Sequence, residues 1–346
     1  LGSAGDLDRP VRQVGAWPGQ SPGRLPGRAQ PDILPGRGDL DRSPHQQRRD
    51  LPDGVRALIE QAAGGAVRSA EPSVGSGFTA GFAAVLNLDD GRHVFAKAAS
   101  TRNPHILDSY AREAVVLDAL PDAVPAPRLI GRGHLAAGEC AADPDHAWQV
   151  IVVEAIRGRM PLPWREADLD AVHEACLRAA AALTPPPATL VEAGLLTSMV
   201  EDLIGTERLD TVYSRLATAD LAITSGQPEW LPDRLDDLTT LTDLAEIALA
   251  GDTATHGDLR ADNLLVRPDG SAVLVDWNWL STGAGWTDFV GVLPLARADG
   301  LDADAWLARS PLTAEVDPDD VDCWLAVVAA FMLAHADDPL FPGGTP

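Results

Sequence analysis

The sequence predicts an α+β molecule of two lobes, a small antiparallel five-stranded N-lobe followed by a larger, mostly helical C-lobe. Three observations carry this expectation. Short strand-like runs, punctuated by Gly, Asp and Pro turn signals, cluster between residues 66 and 154. Helical apolar periodicity dominates from residue 168 onward. A single apolar hairpin, residues 264–276, is set among those helices. A length of 346 residues with 45% apolar content allows two lobes with a sizeable core.

Taken in order, residues 1–50 stand apart. They hold 8 Gly and 7 Pro, with 8 Arg against 6 Asp and little apolar periodicity. Such a segment buries too little apolar surface to offset its ordering entropy, so it is expected to be a disordered arm. The chain begins with Leu, which leaves a translation artefact open as the source of the arm. Residues 51–154 form the expected N-lobe: an amphipathic helix over 51–64, three antiparallel strands over 66–98, a helix over 104–120, and strands at 128–132 and 148–154. The apolar run 150–153 suits a strand covered on both faces. Residues 155–161 are the expected hinge. The C-lobe, 162–346, carries helical patterns at 168–183, 190–217, 233–250, 286–297, 303–309 and 317–335. No internal repeat is visible.

Composition narrows the function. Residues 51–346 hold 19 basic and 45 acidic residues, which argues against nucleic acid or an anionic membrane as partner and is compatible with a cationic substrate. The Arg of the arm are spread among Gly, Pro and Asp and form no basic block. Cys140, Cys176 and Cys323 have neither metal spacing nor even pairing and read as buried thiols in a reducing cytosol. The first 50 residues contain no apolar signal core, and the longest apolar run, 323–334, is too short to span a bilayer. A cytoplasmic protein is therefore expected.

Residues 255–276 carry the chemistry. His256, Asp258 and Asn263 have the spacing H-x-D-x-x-x-x-N. The turn Pro268-Asp269-Gly270 follows, and a second apolar strand, residues 272–275, ends on Asp276. Phosphoryl transfer needs a carboxylate that orients or deprotonates the acceptor hydroxyl, and an amide oxygen and second carboxylate for divalent ions. A hairpin brings Asp258, Asn263 and Asp276 to one end of two strands. The complete set is rare by chance, whereas H-x-D alone is common.

Of the 27 basic residues 26 are Arg, and the remaining one is Lys97. A chain that otherwise uses Arg for positive charge has a chemical reason for keeping one compact ammonium. Lys97 lies in a strand pattern, residues 92–98, opened by the Asp90-Gly91 turn signal. Upstream is the glycine-rich turn Gly75-Ser76-Gly77. Downstream, Asn103-Pro104 starts a helix, with Asn as the cap, that carries Glu113. Glycine loop, strand Lys, helix Glu and catalytic loop form the order of parts in a kinase fold.

On these residues the chain resembles the aminoglycoside phosphotransferase family, the small-molecule branch of the kinase-like fold, over roughly residues 60–335. His256-Gly257-Asp258 stands where protein kinases have His-Arg-Asp. Residues 124–128 and 150–158 are similar to that family's N-lobe strand and inter-lobe hinge. There are two departures: Asp276 is followed by Trp277-Asn278-Trp279 and not Phe-Gly, and the glycine loop has two glycines and not three. The resemblance implies the following roles. Asp258 orients the acceptor hydroxyl or takes its proton. His256 belongs to the catalytic set by packing and hydrogen-bonding to hold the loop. Arg260 either stabilises charge on the transferring phosphate or is an exposed loop Arg. Gly75, Ser76, Gly77, Lys97 and Glu113 serve the phosphates of the nucleotide, and backbone groups of Glu154 to Ile156 hold the adenine. Asn263 and Asp276 ligate Mg²⁺. Asp288 bonds the catalytic-loop backbone. Trp277, Trp279 and Trp286 either wall the substrate or pack the core, the latter for at least two of them.

The expected activity is thus an ATP-dependent transfer of phosphate to a hydroxyl of a small molecule, aminoglycoside-like or a metabolite. The choice of ATP over GTP, the acceptor and the oligomeric state are left open. The rivals are a nucleotide-binding kinase-like protein without catalysis, and a protein kinase. The second is disfavoured by the short gap from Asp276 to Trp286, which leaves no room for a peptide-binding activation segment. Relatives continue into further helix where this chain stops, so a truncated C-terminus is also left open.

Overall fold

The computed structural model describes residues 47–72, 81–222 and 228–336. Most of the expected arm and the glycine turn at Gly75, Ser76 and Gly77 lie outside the described residues. Residues 48–50, assigned to the arm from composition, instead form a 3-10 turn. Arg48 pairs with Glu60 at 2.6 Å and Leu51 is buried, which fastens this end of the segment.

The N-lobe begins with helix α1 (Asp53–Ala63). Val55, Ile59 and Ala63 recur every fourth residue and form its buried face. It stops at Gly64, whose φ of +64° suits a residue without Cβ. Strands β1 (Val67–Pro72), β2 (Phe82–Leu88) and β3 (His93–Ser100) follow. Then come helix α2 (Pro104–Ala119) and strands β4 (Leu129–Leu135) and β5 (Trp148–Glu154). The sheet order is β1-β2-β3-β5-β4, and every neighbouring pair is antiparallel. β5 is buried because alternate residues serve two clusters. Val150 and Val152 pack in the cluster beneath α1, and Ile151 and Val153 in the one that runs through α2 into the C-lobe. Asn103 occupies the cap position of α2, but its side chain makes no capping bond. Pro104 at the first turn, with φ preset for a helix, marks this start.

The C-lobe contains α3 (Glu166–Leu183), α4 (Ala188–Glu192), β6 (Thr197–Ser198), α5 (Val212–Ala217), α6 (Leu235–Thr242) and α7 (Ala245–Ala248). Strand β7 (Thr253–Thr255), the hairpin β8 (Leu264–Val266) and β9 (Ala272–Leu274), and β10 (Ser281–Gly283) follow. Helices α8 (Thr287–Ala298), α9 (Ala303–Arg309) and α10 (Pro318–Ala334) complete it. Among the described residues no helix is long and apolar enough to cross a membrane.

The helix expected over 190–217 is broken. Gly194 (φ +65°) and Arg208 (φ +57°) are left-handed, and a right-handed helix cannot continue through either. Between them lie β6 and a wide π-type turn, Glu201–Thr206. The stretch 233–250 likewise forms two short helices. The sequence pattern also did not reveal the sheet β6-β10-β7, whose strands are too short to show a period.

The closest helix–sheet approach in the N-lobe sets a prediction. A Cβ on Gly131 of β4 would lie 2.2 Å from the Ala62 carbonyl oxygen of α1. Gly131→Ala should lower stability by about 1–3 kcal/mol, the usual range for overpacking. Gly291, inside α8, has only ordinary contacts with Trp324. Gly291→Ala should be neutral or stabilising by up to about 1 kcal/mol through helix propensity. Chemical denaturation of both variants checks the contrast.

Candidate active site

The loop after β7 is shaped by its backbone bonds. The N–H groups of His256 and Gly257 donate to the two oxygens of the half-buried Asp288, at 2.8 and 3.1 Å. Gly257 has φ +78°, and a Cβ there would lie 2.4 Å from the Trp279 carbonyl oxygen. A larger residue between His256 and Asp258 would therefore have to displace the segment between β9 and β10 that carries Trp279. His256 Nε2 lies 2.9 Å from the Val275 carbonyl, an acceptor, so Nε2 carries the proton. The Asp258 N–H points at Nδ1, at 3.4 Å. Both ring nitrogens face backbone, and the ring packs against Trp277.

Asn263 closes the loop. Its Nδ2 donates to the backbone oxygen of Asp258 at 2.8 Å and to Asp258 Oδ2 at 3.2 Å. Both partners are acceptors, so the amide orientation is set and Oδ1 is left over. The hairpin register Leu264↔Leu274, with Val275 N–H on the Asn263 carbonyl at 2.9 Å, brings Asn263 beside the turn into Asp276. The closed end of the hairpin is the turn at Gly270, φ +85°. The hairpin is fastened to the hinge through Arg159 and Val266, and to the N-lobe through the Pro125 carbonyl.

Lys97 Nζ lies between two carboxylates, 2.7 Å from Glu113 Oε2 and 2.8 Å from Asp276 Oδ1. β3 supplies the ammonium, α2 the first carboxylate and the end of the hairpin the second. Burial alone would lower the Lys97 pKa, but Asp276 and Glu113 outweigh it and hold the ammonium above its ordinary value. Burial pushes Glu113 up against the pull of Lys97. At Asp276 the upward push of burial is overcome by Lys97, and its carboxyl sits below the usual range. Asp258 is raised by burial, with Arg260 and His256 pulling the other way.

Asp276 Oδ1 is committed to Lys97 and to Asn278 Nδ2, the latter at 3.2 Å. Among the described residues, Asp276 Oδ2 and Asn263 Oδ1 are left without a hydrogen bond and would be the oxygens offered to a cation. Two hard oxygens fit Mg²⁺, which usually takes one or two protein groups together with waters and phosphate oxygens. Among the described residues no group of three or more His, Cys, Asp or Glu could hold a metal by itself.

The other expected site residues are placed as follows. Arg260 is clamped by Asp262, at 2.8 and 3.1 Å, and reaches only to 3.7 Å from Asp258. The Glu154 N–H is spent on the Arg128 carbonyl at 2.9 Å, which removes it from the groups offered to adenine. The Glu154 carboxylate faces Arg128 and Arg267. Among the described residues the Ile156 N–H makes no backbone hydrogen bond. Trp277 and Trp286 are buried in the core, whereas Trp279 is 65% exposed next to the loop. Sequence reasoning missed Ser109, Arg112, Asp262 and Asn278. Asp262 had a signal, two residues from an Arg in the same loop. Ser109 and Asn278 meet across 169 residues and had none.

Among curated protein sequences none matches. The fold is similar to that of a thermostable mutant of aminoglycoside phosphotransferase APH(4)-Ia in complex with AMP-PNP and hygromycin B. The TM-score is 0.55 at 15% identity, covering 82% of this chain and 91% of that one. It is also similar to AMP-bound spectinomycin phosphotransferase APH(9)-Ia, with TM-score 0.53, 12% identity, and 83% and 90% coverage. A third likeness is to the apoenzyme of macrolide 2'-phosphotransferase MphH from Brachybacterium faecium, with TM-score 0.50, 14% identity, and 82% and 90% coverage. These likenesses establish the kinase-like fold. The model of the phosphotransferase enzyme family matches residues 76–319, well over half of the sequence, and the chain belongs to that family.

Proposed function

We propose that the protein transfers the γ-phosphoryl group of ATP to a hydroxyl of a small molecule. The observation that carries this reading is the convergence of Asp258, Asn263 and Asp276 with an ammonium held between Glu113 and Asp276. We take residues 51–154 as the N-lobe, 155–161 as the hinge and 162–346 as the C-lobe. We locate the reaction in the cytoplasm, in keeping with three free, buried thiols.

In this reading the adenine sits against the hinge, taking the Ile156 N–H and the Glu154 carbonyl. Lys97 contacts the α and β phosphates. Mg²⁺, when bound by Asn263 Oδ1 and Asp276 Oδ2, neutralises charge on the phosphates. Asp258 accepts the hydrogen bond of the acceptor hydroxyl and aims its oxygen at the γ-phosphorus. The new O–P bond forms as the bond to the β–γ bridging oxygen breaks, the hydroxyl proton passes to Asp258, and ADP leaves. His256 and Asp288 act on the loop and not on the substrate. Arg260 reaches a phosphate only by releasing Asp262. The acceptor is taken to be cationic, in keeping with the strongly acidic chain, net charge −24. Aminocyclitols are the first candidates, since hygromycin B occupies a protein of the same fold. The short path from Asp276 to α8, which includes β10, leaves a peptide no platform and disfavours a protein kinase.

A phosphate-transfer screen of purified protein against hydroxyl-bearing antibiotics and metabolites tests the activity. Asp258→Asn should then lower turnover by about two or more orders of magnitude, as for loss of a general base. Stabilisation by Mg-ATP should persist. Turnover near wild type would contradict the role. Asp276→Ala should abolish the Mg²⁺-dependent rise in Tm with ATP, because only ligand bound to the folded state raises Tm. An unchanged shift would contradict the ligand set.

A further inference from the structure

Asn278 has no place in the reaction outlined above, yet its geometry is unusual. Its Nδ2 donates both to Asp276 Oδ1 at 3.2 Å and to Ser109 Oγ at 2.6 Å on α2. Its own N–H bonds the Asp276 carbonyl at 2.9 Å, closing a three-residue turn that folds the side chain back on Asp276. Among the described residues its Oδ1 is buried without a partner. Turning the amide over would satisfy neither side better, because it would aim an oxygen at an ionised carboxylate. A buried orphan acceptor is costly and calls for an explanation. Asp276 adds to this: it is a non-glycine residue at φ +69°, a conformation that persists only where surrounding contacts enforce it.

The partner helix completes the picture. Ser109, Arg112 and Glu113 lie three and four residues apart, so they share one face of α2. Arg112 Nη2 donates to the Leu280 carbonyl at 2.9 Å and the Leu195 carbonyl at 2.5 Å. On that one face Glu113 holds Lys97, Ser109 holds Asn278, and Arg112 holds the chain two residues beyond Asn278.

Resting on the phosphotransferase reading, we propose that Asn278 is a positioning residue for Asp276, and that the Ser109–Asn278 bond latches α2 to the metal-binding end of the hairpin. The latch does two things. It occupies Oδ1 of Asp276 together with Lys97, which turns Oδ2 toward the cation. It also ties the orientation of α2, and so the Glu113–Lys97 pair, to the same carboxylate. Metal and nucleotide phosphates therefore meet groups that are held in register with one another.

The test compares wild type, Asn278→Leu, Ser109→Ala and the double variant by thermal shift with ATP across a Mg²⁺ titration, and by ATP affinity in EDTA. Asn278→Leu removes the amide at similar volume. It should raise the Mg²⁺ concentration for half-maximal stabilisation about ten-fold, the usual size of effect when a partner of a metal ligand is lost. ATP affinity in EDTA should fall by less than the Mg²⁺ midpoint moves, because Lys97 keeps its direct bond to Glu113 without the latch. Ser109→Ala should move the Mg²⁺ midpoint in the same direction by less, and the double variant should match Asn278→Leu alone, as for two residues in one bond. If Asn278→Leu does not fold, Ser109→Ala decides. An unmoved Mg²⁺ midpoint in folded variants overturns the latch, as does an equal loss of ATP affinity in EDTA. A wild-type protein whose Tm ignores Mg-ATP overturns the phosphotransferase reading itself, which separates the two failures.

Discussion

The site depends on one buried ammonium. Lys97 Nζ touches Glu113 from α2 and Asp276 from the hairpin end, and it sits on a strand in the middle of the N-lobe sheet. Glu113 is 1% exposed, so its charge has almost no water to rely on. Removing the ammonium would leave a buried carboxylate uncompensated, a loss of about 3–5 kcal/mol when one partner of a buried pair is deleted. Each of the three groups thus fixes the other two. A β-rich and an α-rich half acquire a common reference point in this way.

The catalytic loop is organised on a different principle, that of backbone satisfaction. Asp288 uses both oxygens on successive N–H groups, His256 uses both ring nitrogens on backbone atoms, and Asn263 uses its amide on Asp258. Among the described residues, what remains without a hydrogen bond is a short set: one oxygen each of Asp258, Asn263 and Asp276. The polar groups that support the loop thereby select which atoms stay free.

Much of this was legible in the sequence because its signals are local. The hairpin was marked by two apolar runs around Pro268-Asp269-Gly270, and the Lys97 strand by its alternation and by being the sole Lys. The expected span of three strands, 66–98, and the strands at 128–132 and 148–154 fell within a few residues of β1 to β3, β4 and β5. The failures share a cause: they depend on contacts distant in the chain or on backbone angles that residue type does not announce. Arg208 adopts φ +57° with no Gly or Asn to signal it, and it helps end a helix that periodicity had extended to 217. The three-stranded sheet is built from strands of two or three residues. Ser109 and Asn278 are ordinary polar residues until the fold brings them to 2.6 Å.

The central claim is that Lys97 lies in the nucleotide site. Its ammonium is held above its ordinary pKa, so a simple acylating reagent should scarcely react with it. An ATP analogue carrying the same amine-reactive group should label it by docking there. The chain contains no other Lys, so peptide mapping needs to separate only this adduct from the N-terminal amine. The account predicts labelling at Lys97 by the nucleotide reagent alone, with protection by excess Mg-ATP. Labelling that is indifferent to Mg-ATP, or equal with the nucleotide-free reagent, would place Lys97 outside the nucleotide site and contradict the account.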